Sequence, residues 1–489
     1  MSNYRFPSAI RQLLQYALPQ ETSSFGSTPE LKYTYLPASH AKALHPDSML
    51  VVGIRGVGKS FWWSALQKED HRSLVGRNLP KAGISKETIV SQGFGEKPSP
   101  DDYPGKDTVA DLIRNFEARQ LWRTIILLHL IKQGGKSSPF SKQRRWEDRI
   151  AWVQGHPEEV ERLFYEVDTG LDQSGAYHLI LFDALDRTAD DWKSMYTLVR
   201  GLLQVLLEFR SYNRIRPKAF VRPDQLEDSS VAAFPDASKV RSQEVKLIWP
   251  RNELYGLLWQ HLANETGNGH LFRDGCNQGF GIEWRQQDQV WTVPEKLRTD
   301  EDKQRDVFHA MTGPWMGRDR RRGFPYTWLP NHLGDARRQV SPRSFLAALR
   351  HAASDSSKRD YEYALHYESI KRGVQEASKI RVHEMQEDYP WVEKLMKPLS
   401  GLSVPCSFDE ISGRWEKEKI LERLRQEMQT ANVKLPPAHI DLGASDVRRD
   451  LEELGVFERM TDGRVNLPDV YRVGYGIGRR GGVKAVARN

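Results

Sequence analysis

The 489-residue sequence predicts an α/β chain. A parallel sheet flanked by helices comes first, then a helical region, then a small C-terminal domain of helices and a hairpin. Three observations carry this expectation. Gly53-Ile54-Arg55-Gly56-Val57-Gly58-Lys59-Ser60 sits between an apolar run, Met49-Leu50-Val51-Val52, and a helix-like stretch beginning at Phe61. Leu179-Ile180-Leu181-Phe182-Asp183 is a second apolar run, ending in a carboxylate. The last eighty or so residues show two amphipathic helices followed by an Asp462-Gly463 turn between short apolar segments.

The first string fits G-x-x-x-x-G-K-[ST] in the strand–loop–helix setting that makes it a phosphate-binding loop. Glycines at 53, 56 and 58 let the backbone curl, so that N–H groups, including those at Val57 and Phe61, can converge on one anion. The helix N-terminus adds partial positive charge. Lys59 is placed to reach the β- and γ-phosphates, and the Ser60 hydroxyl to ligate Mg²⁺. The second run has the length of a buried parallel strand. Its acid falls at the carboxyl end, where open α/β sheets bind ligands, so Asp183 is the expected partner of the metal. No Glu follows Asp183. Asp186 is therefore the candidate for polarising the attacking water, unless it only caps the turn.

Leu181-Phe182-Asp183-Ala184-Leu185-Asp186-Arg187 resembles the hhhhDDLDR Walker B string of KAP-type P-loop NTPases. It is also similar to the hhhhDxxD form of STAND and origin-recognition-like AAA+ ATPases. The chain departs from the KAP string at Ala184, which leaves one acid fewer near the metal. The resemblance spans about residues 30–350 and implies an ATPase using Mg²⁺. It implies that the strand after Walker B, 217–224, ends in a γ-phosphate sensor, a place occupied by Arg222. The helix opened by Ser341-Pro342 resembles the lid helix of these families and makes Arg343 a second sensor candidate. Arg187 is a candidate arginine finger. The loop Gly317-Arg318-Asp319-Arg320-Arg321-Arg322-Gly323 suits a finger, a nucleic-acid contact or a solvated turn.

The domain expectations follow. Residues 1–45 form an N-terminal arm, 46–260 the P-loop ATPase core, 261–400 an irregular insertion and helical lid, and 401–489 a winged-helix-like domain with a basic tail. Within the core, 88–90 reads as a strand, 91–106 as a loop, 108–132 as one helix and 192–209 as an amphipathic helix. In the tail, Arg472, Arg479, Arg480, Lys484 and Arg488 follow the last acid, Asp469. The longest apolar run, 125–131, is too short to cross a bilayer. The N-terminus lacks a signal-peptide block, and two cysteines give no disulfide framework. A cytoplasmic location is expected. Net charge is +7, which permits a polyanionic partner.

The resemblance implies a nucleotide-driven, oligomerising switch in a prokaryotic anti-phage defence or signalling complex, working beside a separate effector protein. The alternative is an origin-recognition-like regulator or loader that binds DNA through the winged helix. A small-molecule kinase is a third reading. No guanine-reading N/T-K-x-D string occurs, so ATP is the expected nucleotide.

Overall fold

In the computed structural model, residues 4–20, 29–134, 139–430 and 433–479 are described. They fall into two compact units, one formed by Ala38–Leu247 and the other by the N-terminal helix, Glu30–Pro37 and the chain from Ile248 onward.

The first unit is built on five parallel strands: β1 (Leu50–Val52), β2 (Ile89–Phe94), β3 (His178–Phe182), β4 (Ile215–Val221) and β5 (Val245–Lys246), in the order β2-β3-β4-β1-β5. Strand β1, which carries the phosphate-binding loop, is an interior strand between the central β4 and the edge strand β5. The acid-bearing β3 lies one strand away, beyond β4. All five residues of β3 are buried, His178 and the apolar run from Leu179 to Phe182 alike. Helices Ala118–Gly134 and Trp192–Glu208 pack together and, with the sheet, enclose a core that includes Trp122, Phe164, Phe182 and Leu202. The Trp122 indole N–H donates to the Leu198 carbonyl at 2.9 Å, so this buried ring is satisfied.

Two expectations for this unit change. The 91–106 loop begins as strand, since β2 continues to Phe94. The single helix over 108–132 is two, Lys106–Asn115 and Ala118–Gly134, with extended backbone at Phe116 between them.

Lys218, in the middle of β4, is fully buried. Its ammonium donates to the main-chain carbonyls of Ala43 (2.8 Å), His45 (2.9 Å) and Ser48, the segment leading into β1. Burial pulls its pKa down to about 7. The unfolded chain then holds more protons than the folded one between pH 7 and about 10.5, so the folded state gains stability as pH rises through that window. Lys218→Ala should cost about 2–4 kcal/mol, because buried carbonyls lose their donor. It should also flatten the rise in urea-unfolding free energy from pH 7 to 8. An undiminished rise would assign the titration to another group.

The second unit is largely helical. The N-terminal helix Ala9–Ala17 buries Ile10, Leu13, Leu14 and Ala17 in its core, together with Tyr255, Trp259, Phe308 and Phe345. Residues 1–45 are thus divided between the two units rather than forming one arm. The insertion expected to be irregular at the start of 261–400 contains helices Gly269–Phe280 and Glu301–Thr312 and the hairpin Arg285–Gln287/Val290–Thr292. Its short elements blurred any single periodicity. Helices Pro342–Ser356 and Tyr367–Asp388 pack closely against each other.

The C-terminal part is winged-helix-like. Helices Phe408–Lys417, Ile420–Thr430 and Ala444–Glu453 lead into the antiparallel pair Glu458–Arg459/Val465–Asn466, and Cys406 bridges to Val465. Gly463, at φ 84°, supplies the turn. Gly443 occupies the N-cap position of the third helix. Of the expected basic tail, residues 480–489 lie outside the described residues. Arg472 is buried and ion-paired with Asp469 at 2.7 Å, so it offers nothing to a polyanion. Among the described residues, no helix is long and apolar enough to cross a membrane.

Candidate functional site

The carboxyl ends of β1, β3 and β4 share one edge of the sheet, and each is followed by a charged residue of the candidate site. After β1 the loop turns through left-handed backbone at Gly56 (φ 76°) and Gly58 (φ 108°). At Gly58 a side chain would meet open space, so the requirement there is conformational. At Gly53 the requirement is space: an added Cβ would lie 2.6 Å from Val57 Cγ1. The Gly53 N–H donates to Val221 O (3.1 Å), which ties the loop to the end of β4, and the Val57 N–H donates to Ile54 O (3.3 Å).

The helix Lys59–Ala65 starts directly from Gly58. It is anchored by the two tryptophans behind the loop. Trp62 donates to His40 Nδ1 (3.0 Å) and Trp63 to Leu181 O (3.3 Å), so both rings are structural. Phe61 sits edge-on to Trp62, with ring centroids 5.1 Å apart. The Lys59 ammonium folds back onto the loop, donating to Gly53 O (2.7 Å) and Ile54 O (3.0 Å). Burial, then the nearby Arg222 charge, brings its pKa down to about 8, against the opposing pull of Asp183, Asp186 and Asp224.

Asp183 is buried, and burial raises its pKa. The Ser60 hydroxyl lies close to it and, with the Lys59 charge and the Ala184 N–H, favours the ionised form. The hydroxyl and carboxylate singled out in the sequence therefore do meet. A Ser–Asp pair facing a phosphate loop fits Mg²⁺, which is held by one or two protein oxygens plus substrate phosphates and water. Among the described residues no group of three or more His, Cys, Asp or Glu is placed to hold a metal without substrate.

The chain then kinks at Ala184, whose φ of 57° and ψ of 33° are left-handed. This conformation costs an alanine about 1 kcal/mol or more. The kink starts the turn Leu185–Arg187, and Asp186 emerges from it to accept from Arg222 Nη2 at 2.8 Å. The pair is largely buried, with side chains 18% and 12% exposed. Asp186 thus holds the arginine that follows β4. Arg187, the finger candidate, is engaged by Glu96, which follows β2. Arg343 lies in the other unit, in the first turn of Pro342–Ser356, paired with Glu384 at 2.6 Å.

Sequence reasoning passed over Asp224 and Glu96. Asp224 lies two residues past Arg222 and is close enough to act electrostatically on Lys59. Its position just beyond a buried strand was the available signal, but Pro223-Asp224 reads first as a turn.

A central parallel sheet with a glycine loop running from strand to helix, and an acid at the end of a second strand facing the loop's serine, defines a P-loop nucleotide-binding fold. No protein-family model and no curated protein matches the chain. Among solved structures the chain is similar to the Orc2 protein of Aeropyrum pernix in ADPNP–ADP complexes, at 15% identity over 90% of this chain and 93% of that one, with a TM-score of 0.35. It is similar to the Orc1 protein of the same organism in complex with DNA, at 14% identity over 94% and 93%, with a TM-score of 0.30. It is also similar to Cdc6p from Pyrobaculum aerophilum, at 10% identity over 86% and 83%, with a TM-score of 0.28.

Proposed function

We propose that this chain is a Mg²⁺-dependent ATPase of AAA+ type that uses nucleotide as a conformational switch. The observation that carries the reading is the Ser60 hydroxyl placed close enough to the buried Asp183 carboxylate to favour its ionised form, with Lys59, Asp186 and Arg222 beside it.

The loop amides of residues 56–61 cradle the phosphates. Lys59 turns from its two carbonyls to the β- and γ-phosphates. Ser60 and Asp183 are the residues that would hold Mg²⁺, which would supply positive charge against the phosphates. Arg222 reads the γ-phosphate, and Asp186 keeps it aimed there. A water attacks the γ-phosphorus, the bond to the β,γ-bridging oxygen breaks, and ADP leaves with phosphate as the second product. Asp186 is the carboxylate that would polarise that water. Its engagement with Arg222 couples water activation to γ-phosphate sensing. Arg343 is a further candidate for nucleotide sensing.

Purified full-length chain should hydrolyse ATP only with Mg²⁺ present. Asp186→Asn should lower kcat about 10–100-fold with little change in ATP affinity, the pattern of a group used in the transition state. An unaltered kcat would assign water activation elsewhere. A homo-oligomer that forms and dissociates with nucleotide, acting on a separate effector, completes the switch reading; sedimentation with and without ATP tests it. The defence setting rests on motif resemblance alone. A nucleic-acid-associated ATPase, origin-recognition-like in character, is the setting we favour, because an exposed arginine loop offers a phosphate-binding surface.

A further inference from the structure

Between helices Glu301–Thr312 and Pro325–Leu333 the chain projects a short, closed loop. Its base is pinned by the Met316 N–H donating to Gly323 O (2.9 Å), with Met316 buried beneath. At its tip, Arg320–Arg322 form one 3-10 turn. The turn is closed by Arg322 N–H to Asp319 O (3.2 Å) and Gly323 N–H to Arg320 O (3.1 Å). Arg318, Arg320, Arg321 and Arg322 are all exposed. The only acid in the loop, Asp319, turns its carboxylate onto the Arg321 N–H (2.9 Å). Among the described residues none of the four guanidinium groups has an ion-pair partner. Arginines elsewhere on the surface, such as Arg449 with Glu453 and Arg464 with Asp462, do have one.

Four like charges within five residues repel one another, and the single carboxylate of Asp319, turned onto a main-chain N–H, offsets only part of that cost. The closed backbone nevertheless holds the forks on a fixed tip. Beside them Phe324, one of the few exposed large apolar side chains, leans on Trp315 (centroids 4.9 Å) and lies parallel to His309 (5.8 Å, 5°). Guanidinium forks match phosphate oxygens, and a supported exposed ring can take the face of an unpaired base. A carboxylate-bearing protein surface would use the forks but not the ring.

We infer that the 317–324 loop is a nucleic-acid docking element: its four arginines contact successive backbone phosphates, and Phe324 stacks on a base of a single-stranded segment. This deepens the nucleic-acid setting favoured above and is independent of the ATPase chemistry.

The test is fluorescence anisotropy of the full-length chain with a labelled oligonucleotide, single-stranded and duplex, over a series of salt concentrations. Changing Arg318, Arg320, Arg321 and Arg322 together to Gln should weaken binding at least about tenfold near 0.1 M salt, and should make the log–log salt slope shallower by about 2–3. Changing all four to Lys should retain most of the slope. Phe324→Ala should weaken single-strand binding several-fold and leave duplex binding unchanged. The unfolding midpoint is followed for each variant, and the Arg320→Gln/Arg321→Gln pair, expected to show about half the slope change, serves if the quadruple variant does not fold. Equal affinity and slope in the Gln variants would overturn the assignment and leave nucleic-acid binding to another surface. No oligonucleotide binding by the unsubstituted chain would overturn both the assignment and the nucleic-acid setting, while ATP affinity, measured separately, would still decide the ATPase reading.

Discussion

Lys59→Ala should reduce ATP affinity by at least about 100-fold, or about 3 kcal/mol, and remove measurable turnover. Of the two cations in the loop, Arg55 and Lys59, the Lys59 ammonium is the one bonded to the loop's own carbonyls at Gly53 and Ile54. It lies within reach of the space above residues 53–60 and is held there by two carbonyls at 2.7 and 3.0 Å. Its pKa of about 8 adds a pH signature. Below pH 8 the ammonium is charged in the folded protein and available to phosphate. Above pH 8 binding must first recover a proton, so ATP affinity of the unsubstituted chain should decline from pH 8 toward 10, with proton uptake on binding. The same depressed pKa means that charged Lys59 opposes folding at neutral pH. The opposition fades as pH climbs from 8 toward the unfolded value near 10.5. Lys59→Ala should therefore leave stability at pH 7 unchanged or slightly raised, which separates lost binding from lost fold. Calorimetric titration with Mg-ATP at pH 7 and 9 measures both effects; equal affinity in the variant would remove the loop from nucleotide binding.

Asp183→Asn should abolish Mg²⁺-dependent hydrolysis, by about 100-fold or more, and at the same time raise the thermal midpoint. Burial lifts the pKa of this carboxylate. A carboxyl raised in the fold favours folding when protonated, and that contribution is lost as pH rises through the unfolded and then the folded value, so at neutral pH the buried charge is a liability. Asparagine keeps the shape and can still accept from the Ser60 hydroxyl, but carries no charge for a cation. A gain of about 1 kcal/mol would appear as roughly 2–4 °C for a unit of this size. Scanning calorimetry beside a phosphate-release assay gives both readouts. Residual full activity with Mg²⁺ would show that the metal is held by other oxygens.

The parts of the site that could be read from the sequence are those whose signal is local. The loop 53–60 and the apolar run ending at Asp183 are each one contiguous string with one physical requirement, and the structure sets their ends face to face. Arg222 could be located because proline stops the strand just after it. Asp224 and Glu96 escaped because their importance is tertiary: each follows a different strand and gains its role only when the sheet is assembled. Arg472 escaped for a related reason. In the string it belongs to a basic run, but one helical turn back stands Asp469, and burial of that pair outweighs the run's apparent exposure. The break at Phe116 carries no glycine or proline to announce it. The N-terminal helix shows its apolar face plainly, yet nothing local reveals that this face is covered by residues beyond 250.

The caged Lys218 constrains how this machine can move. One ammonium fastens the segment leading into β1 to the body of β4, so the strand that presents the phosphate cradle and the strand that ends at Arg222 cannot slide past each other. In the switch proposed above, the part of the γ-phosphate response that passes through Arg222 would then be expressed downstream of Val221, in the single turn Pro223–Leu226 and its tether to Asp186, over a sheet that stays still. The gear that shifts is a few residues long, and it is mounted on a locked frame.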